Sequence, residues 1–301
     1  MEGIITHSDA DGIISASIFY KFHPKSSLHF SSHQYLLKSL CNLIFRDYKR
    51  VRILDISPNR KTLTIASVFD EVVWIDHHKI EISDIPSNIK LINEYSESTA
   101  KLVSKIFGIE DKIVDIANEI DTNNVKSPEA EFFRSLISAI KWKFKQYQNI
   151  KFRQIVKMLS FKGFSELEKD ESMTKIIEEY NFWLNSNIEK SLSTVKNYEI
   201  SSKKILIVEG FYGIPVYEIY NRLSTKENFD ILIVIYRKID KFRKIIKSKI
   251  EFRGRNGNNV LEIAKKFNGG GHENAAGCTV DYYITHDEII RNIEEALKSS
   301  L

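Results

Sequence analysis

Three short apolar runs in the first part of the chain each end on acidic residues. Gly3 to Thr6 leads into His7, Asp9 and Asp11, Val51 to Leu54 into Asp55, and Val72 to Ile75 into Asp76. Runs of this length bounded by polar turns read as buried strands. Helical stretches accompany them: Ile13 to Phe22, Ala100 to Phe107 behind Ser98 and Thr99, and Ile113 to Ile120 ending near Asp121. Strands alternating with helices make the rhythm of a parallel α/β sheet. In such sheets ligands bind beyond the carboxyl ends of the strands. Helix capping would account for any one of these acids, but three marked strand ends in succession point to a shared site.

From Ala130 to about Tyr198 the pattern turns helical. Met173, Ile177, Tyr180, Leu184, Ile188, Leu192 and Val195 recur at spacings of three or four and predict one apolar stripe used in packing. Strands resume at Ile205 to Val208, Ile231 to Tyr236 and Ile250 to Phe252, with a helix around Val260 to Phe267. At 301 residues and 43% hydrophobic, the chain can build two ordinary cores. The expected architecture is α/β: a parallel-sheet domain over 1–198, whose residues 130–198 form a helical extension and linker, and a smaller α/β domain over 199–301.

The two cysteines, Cys41 and Cys278, share no motif spacing, so neither a disulfide framework nor a zinc knuckle is indicated. No apolar run approaches the roughly 18 residues of a membrane span, and the N-terminus lacks a signal-peptide layout. The expectation is a cytoplasmic protein with no membrane partner. The net charge of +4 is uneven: residues 201–301 carry 17 Lys and Arg against 13 Asp and Glu, leaving 27 of each in the first 200. The excess peaks between Tyr236 and Arg255, where Arg237, Lys238, Lys241, Arg243, Lys244, Lys247, Lys249, Arg253 and Arg255 face only Asp240 and Glu251. Such a density attracts polyanions or forms a solvated face.

His7, Asp9 and Asp11 stand two residues apart, so their side chains point the same way if the extended conformation persists. Gly12 then permits a tight entry into the next helix. Asp55 precedes Ser57-Pro58-Asn59, a turn composition. In Asp76-His77-His78, one histidine can be a ligand while its neighbour faces a substrate, with Asp76 orienting a ring. Carboxylates and imidazoles without thiolate suit Mn²⁺, Co²⁺ or Mg²⁺ better than structural zinc. So many anionic groups exceed what one cation needs and suit a pair roughly 3.5–4 Å apart, the arrangement of metal-assisted phosphoester hydrolysis.

Near the C-terminus, Phe267 to Cys278 reads FNGGGHENAAGC. Gly269, Gly270 and Gly271 let backbone amides approach a phosphate or base, and His272 can donate to an anion. Arg253 and Arg255, read as the end of a strand upstream, are suited to bidentate phosphate contacts.

Taken in order, THSDADGI, LDIS, DHHK, EIDTNN and GGGHENAAG resemble the motifs of the DHH phosphoesterase family and its associated C-terminal domain, over residues 6–277. The branches it resembles are the nanoRNase/oligoribonuclease enzymes and the RecJ-type exonucleases. The resemblance implies one metal held by His7, Asp9 and Asp55 and another by Asp11, Asp55, His77 and Asp121, with Asp55 bridging and Mn²⁺ the metal. It further implies that His78 contacts the scissile phosphate or leaving oxygen and that Asp76 supports the histidines. Arg253 and His272 would hold substrate from the second domain across an interdomain cleft. The expected activity is hydrolysis of short single-stranded oligonucleotides or dinucleotides to mononucleotides. A RecJ-like 5′ exonuclease on longer DNA and a non-catalytic nucleic-acid-binding or replication-assembly subunit are the alternatives, and a homodimer is compatible with each.

Overall fold

The computed structural model describes residues 1–240 and 245–298. They fall into two compact units, Met1–Tyr180 and Asn181–Leu301.

The first unit alternates strand and helix: β1 (Glu2–His7), α1 (Ala10–Phe22), β2 (Ser27–Ser31), α2 (Leu36–Phe45), β3 (Arg50–Leu54), α3 (Arg60–Ala66), β4 (Glu71–Ile75) and β5 (Ile89–Ile92). Helices α4 (Thr99–Phe107), α5 (Ile113–Asp121), α6 (Pro128–Phe144), α7 (Gln148–Phe161), α8 (Phe164–Glu168) and α9 (Glu171–Leu192) follow. The five strands form one parallel sheet in the order β2-β1-β3-β4-β5. The edge strands β2 and β5 escape the sequence reading because their residues are short runs, partly exposed, with weak patterning. Trp74, Ile53, Val51, Val72, Leu36 and Leu40 pack together, and the indole of Trp74 donates to the Ile56 carbonyl at 2.7 Å. Helix α1 is buried from Ala10 to Tyr20, which explains a sequence apolar nearly all round.

The division between units falls inside α9, earlier than the point near residue 198 where the strand pattern resumes. Met173, Tyr180, Leu184 and Ile188 of its stripe are buried. Ile176 is buried in place of the expected Ile177, and Val195 lies beyond the helix end.

The second unit contains β6 (Lys196–Ile200), β7 (Lys203–Glu209), α10 (Val216–Ser224), β8 (Ile231–Asp240), β9 (Ile245–Gly254), α11 (Leu261–Lys265), β10 (Gly270–His272), β11 (Ala275–Val280) and α12 (His286–Lys298). Its sheet runs β10-β11-β9-β8-β7-β6, with β7 and β8 parallel and the other neighbours antiparallel. The hairpin strands β8 and β9 are longer than their apolar runs suggest, because pairing continues through Arg237–Ser248 and Lys238–Lys247. Lys241, Arg243 and Lys244 of the basic stretch lie outside the described residues.

Candidate metal centre

Strands β1, β3 and β4 are adjacent and parallel, with Thr6 opposite Leu54 and Leu54 opposite Ile75. Their carboxyl ends therefore lie side by side, and the residues that follow, His7, Asp55 and Asp76, emerge together. The extended conformation does not persist past His7, contrary to the spacing argument. Asp9 is the N-cap of α1, its carboxylate accepting from the Gly12 amide at 3.0 Å, and Asp11 sits in the first helical turn. A Cβ on residue 12 would lie 2.5 Å from the His7 carbonyl oxygen, so this strand-to-helix turn requires glycine. Asp9 also meets the His7 imidazole.

Asp11, only 2% exposed, accepts the Thr99 and Ala100 amides at 2.7 and 2.8 Å. These are the first amides of α4, where backbone donors and the helix dipole favour an anion. Asp55 is buried in left-handed backbone at φ 58°, a strained conformation for a non-glycine residue. It accepts the Thr99 hydroxyl at 3.1 Å and lies 3.7 Å from His7 Nδ1 and 4.0 Å from His77 Nε2. His77 Nδ1 donates to the Ser96 carbonyl at 3.0 Å, which turns Nε2 toward Asp121 at 3.2 Å and Asp11 at 3.9 Å. His78 Nδ1 meets Asp76 Oδ1 at 2.7 Å, and the other oxygen of this fully buried carboxylate accepts the Ser57 hydroxyl at 2.8 Å. Asn93 Nδ2 pins the segment through the carbonyls of Asp76 and His78 at 2.5 and 2.8 Å.

Within the first unit, ligand atoms of His7, Asp9 and Asp55 lie within 4.8 Å of one another, as do those of Asp11, His77 and Asp121, and those of Asp55, Asp76 and His78. The electrostatics show what the cluster lacks. Burial, followed by the charges of Asp11, Asp9 and Asp121, pushes the Asp55 carboxyl well above the carboxylate range. Burial, then Asp11 and Asp9, does the same to Asp121, and burial raises Asp11. Asp9 differs: burial raises it, but the adjacent His7 ring carries it below its ordinary value. His78 is lowered by burial yet held up to about 9 by its hydrogen bond to Asp76 and the charges around it. Carboxylates gathered this closely out of water are disfavoured as anions unless cations sit among them. The donor set of oxygen and imidazole atoms, with a fixed His77 tautomer, fits divalent ions.

The sequence reading missed the residues that hydrogen-bond to the candidate ligands and their segment: Thr99, Ser57, Asn93 and the Ser96 carbonyl. Ser98 and Thr99 were legible as helix starters; that their helix would grip Asp11, distant in sequence, was not.

In the second unit, His272 ends β10 opposite Ala275, so the glycine run is a short paired strand in which Gly271 adopts φ 133°. Gly270 is open to a side chain, whereas a Cβ on Gly269 would lie 2.4 Å from the Gly277 carbonyl oxygen. Arg253 is paired with Ala275 on β11, and its guanidinium reaches the Phe252 carbonyl at 2.9 Å and Glu251 at 3.3 Å. Arg255 lies past the end of β9, stacked 4.9 Å from the Phe229 ring.

A parallel sheet that delivers carboxylates and imidazoles to one set of strand ends is a framework on which divalent ions could be held. Residues 3–139 match the DHH family, N-terminal domain, and residues 206–299 match the DHHA1 domain: the chain belongs to the DHH phosphoesterase family. Among solved structures it is similar to a pGpG-specific phosphodiesterase from Vibrio cholerae, with 15% identity, 100% of this chain and 98% of that one covered, and a TM-score of 0.59. It is also similar to the DHH domain of a member of a family of ribosomal proteins (14% identity, 98% and 86% covered, TM-score 0.66). A third likeness is to exonuclease RecJ bound to manganese (12% identity, 99% and 89% covered, TM-score 0.52). At these identities the likeness is one of fold. No curated relative matches the sequence.

Proposed function

We propose that the protein is a Mn²⁺-dependent phosphodiesterase that hydrolyses short single-stranded oligonucleotides or dinucleotides to mononucleotides, with residues 1–198 catalytic and 199–301 binding substrate. The observation that carries this reading is Asp55: buried, held in left-handed backbone, with one carboxylate oxygen 3.7 Å from His7 Nδ1 and the other 4.0 Å from His77 Nε2. A carboxylate so placed suits a bridge between two cations. His7, Asp9 and Asp55 would hold one ion, and Asp11, Asp55, His77 and Asp121 the other. Bound there, divalent ions supply a water nucleophile at neutral pH and stabilise the oxygens of an in-line displacement at phosphorus.

The chain's own residues do the rest. Thr99 orients Asp55, and the α4 amides donate to Asp11, offsetting in part what burial costs its anion. Asp76 fixes the His78 ring and keeps its proton, so His78 can donate to a phosphate or leaving oxygen. Arg253, Arg255 and the Gly269–His272 run supply donors for substrate phosphate or base in this reading. The test is release of mononucleotides from a labelled dinucleotide or short RNA in Mn²⁺: the wild type should turn over and Asp55→Ala should not. Equal behaviour of the two would remove the site from consideration. A preparation that binds no divalent ion yet co-purifies with partner proteins would favour a non-catalytic role.

A further inference from the structure

The second unit carries a surface that this reaction does not use. Between β7 and α10 the chain reads Gly210-Phe211-Tyr212-Gly213, and its backbone is held. The Gly210 amide donates to the Ile235 carbonyl at 2.8 Å and the Phe211 amide to the buried Ser191 hydroxyl at 2.7 Å. The Ile214 amide returns to the Phe211 carbonyl at 3.1 Å, and the Tyr236 hydroxyl donates to the Ile214 carbonyl at 2.7 Å. A Cβ on residue 210 would lie 2.4 Å from the Tyr236 ring, so the loop rests directly on β8.

A loop fixed this way nonetheless leaves its aromatics outside: Phe211 is 37% and Tyr212 66% exposed. Each ring has a cation over it. Lys190 Nζ stands 4.8 Å from the Phe211 centroid and Lys238 Nζ 6.0 Å from that of Tyr212, while Trp183 backs Phe211 at 6.4 Å. The neighbouring acid, Glu209, is taken up by two hydrogen bonds from Arg237, at 2.9 and 2.7 Å, and by His286 at 3.1 Å. The surface therefore presents aromatic faces and positive charge together, the combination on which unpaired bases stack while their phosphates are neutralised.

We propose that Phe211 and Tyr212, with Lys190 and Lys238, form a stacking platform for single-stranded nucleic acid; the choice of partner rests on the phosphodiesterase reading above. On β8, Leu232 pairs with Arg253 whereas Lys238 lies six residues on, roughly 20 Å along the strand. A dinucleotide at Arg253 would not reach the platform, and a longer strand would. The platform thus acts on chain length, tightening the hold on longer strands without touching the reacting phosphate.

The test is fluorescence anisotropy with a labelled single strand of about ten nucleotides, measured in chelator so that nothing is hydrolysed. Phe211→Ala/Tyr212→Ala should weaken binding about tenfold or more, and Lys190→Ala/Lys238→Ala should make affinity less sensitive to salt. Both variants should keep wild-type circular dichroism and wild-type dinucleotide turnover. Unchanged strand binding in the aromatic variant overturns the platform, as does binding of duplex as tightly as single strand, or a dinucleotide turnover that falls in step. Absence of dinucleotide turnover in the wild type would instead count against the phosphodiesterase reading and leave the anisotropy result standing.

Discussion

The two units treat clustered charge in opposite ways. In the first, Asp11, Asp55, Asp76 and Asp121 share one set of strand and helix ends, and burial with mutual repulsion raises Asp11, Asp55 and Asp121. In the second, Glu209 is matched by the Arg237 fork and by His286, and His286 Nδ1 meets the Tyr198 hydroxyl at 3.0 Å. Arg237 also donates to the Ile284 carbonyl at 2.9 Å and stacks 3.8 Å from the Tyr283 ring. The first arrangement gathers acids that cations could balance, and the second is balanced by the residues it has. A charge cluster left uncompensated points to a ligand; a compensated one points to structure.

The contrast gives opposite expectations for removing one acid. Asp55→Asn should lower Mn²⁺-dependent hydrolysis at least about a thousandfold, yet raise the stability of metal-free protein by about 1 kcal/mol, because folding no longer opposes the ionisation of a carboxyl whose raised value disfavours its anion. Glu209→Gln should leave metal dependence alone and lower stability by about 1 kcal/mol, since Arg237 and His286 lose their partner in a partly exposed network. Urea unfolding in chelator, run on both variants, reads the two signs side by side. If both substitutions destabilise, the contrast between the units fails.

Two smaller effects sharpen it. In the first unit, burial and then the charges of Arg153 and Arg46 push His29 down to about 4 from an ordinary value of 6.5. Between those values the unfolded chain takes up a proton that the folded chain refuses, so stability falls as pH drops from 6.5 toward 4. His29→Phe should lessen that acid-side loss by about 1 kcal/mol in a pH series of unfolding curves. In the second unit, burial pushes the Cys278 thiol up to about 12, whereas Cys41 is only half-buried. A thiol reagent under native conditions should label Cys41 first and Cys278 at least about tenfold more slowly, as mass spectrometry of the labelled peptides would show.

Much of this was legible in the sequence because chemistry and periodicity coincide there. The runs before His7, Asp55 and Asp76 are central strands, largely apolar because both faces are covered, with Arg52 of β3 buried only by pairing with Glu2 and Glu71, and their acids mark where the strands end. Asp121 could be read as the end of a helix, though its meeting with His77 is a tertiary fact. What escaped was of two kinds. Edge strands β2 and β5 are short and partly exposed, so they carry little pattern. The residues that orient the candidate ligands, Thr99, Ser57 and Asn93, are ordinary turn and capping residues whose partners are fixed only by the fold. The local geometry of His7-Ser8-Asp9 was misjudged for a related reason: Asp9 caps α1 as well as facing the cluster, and an extended-strand argument has no room for both.

The central claim is that the acid cluster exists to hold divalent ions around Asp55. It is tested most directly by titrating Mn²⁺ calorimetrically into chelator-treated wild type and Asp55→Asn. The account predicts two bound ions per wild-type chain and loss of at least one in the variant. Mn²⁺ binding of the same stoichiometry and affinity in both proteins would contradict it.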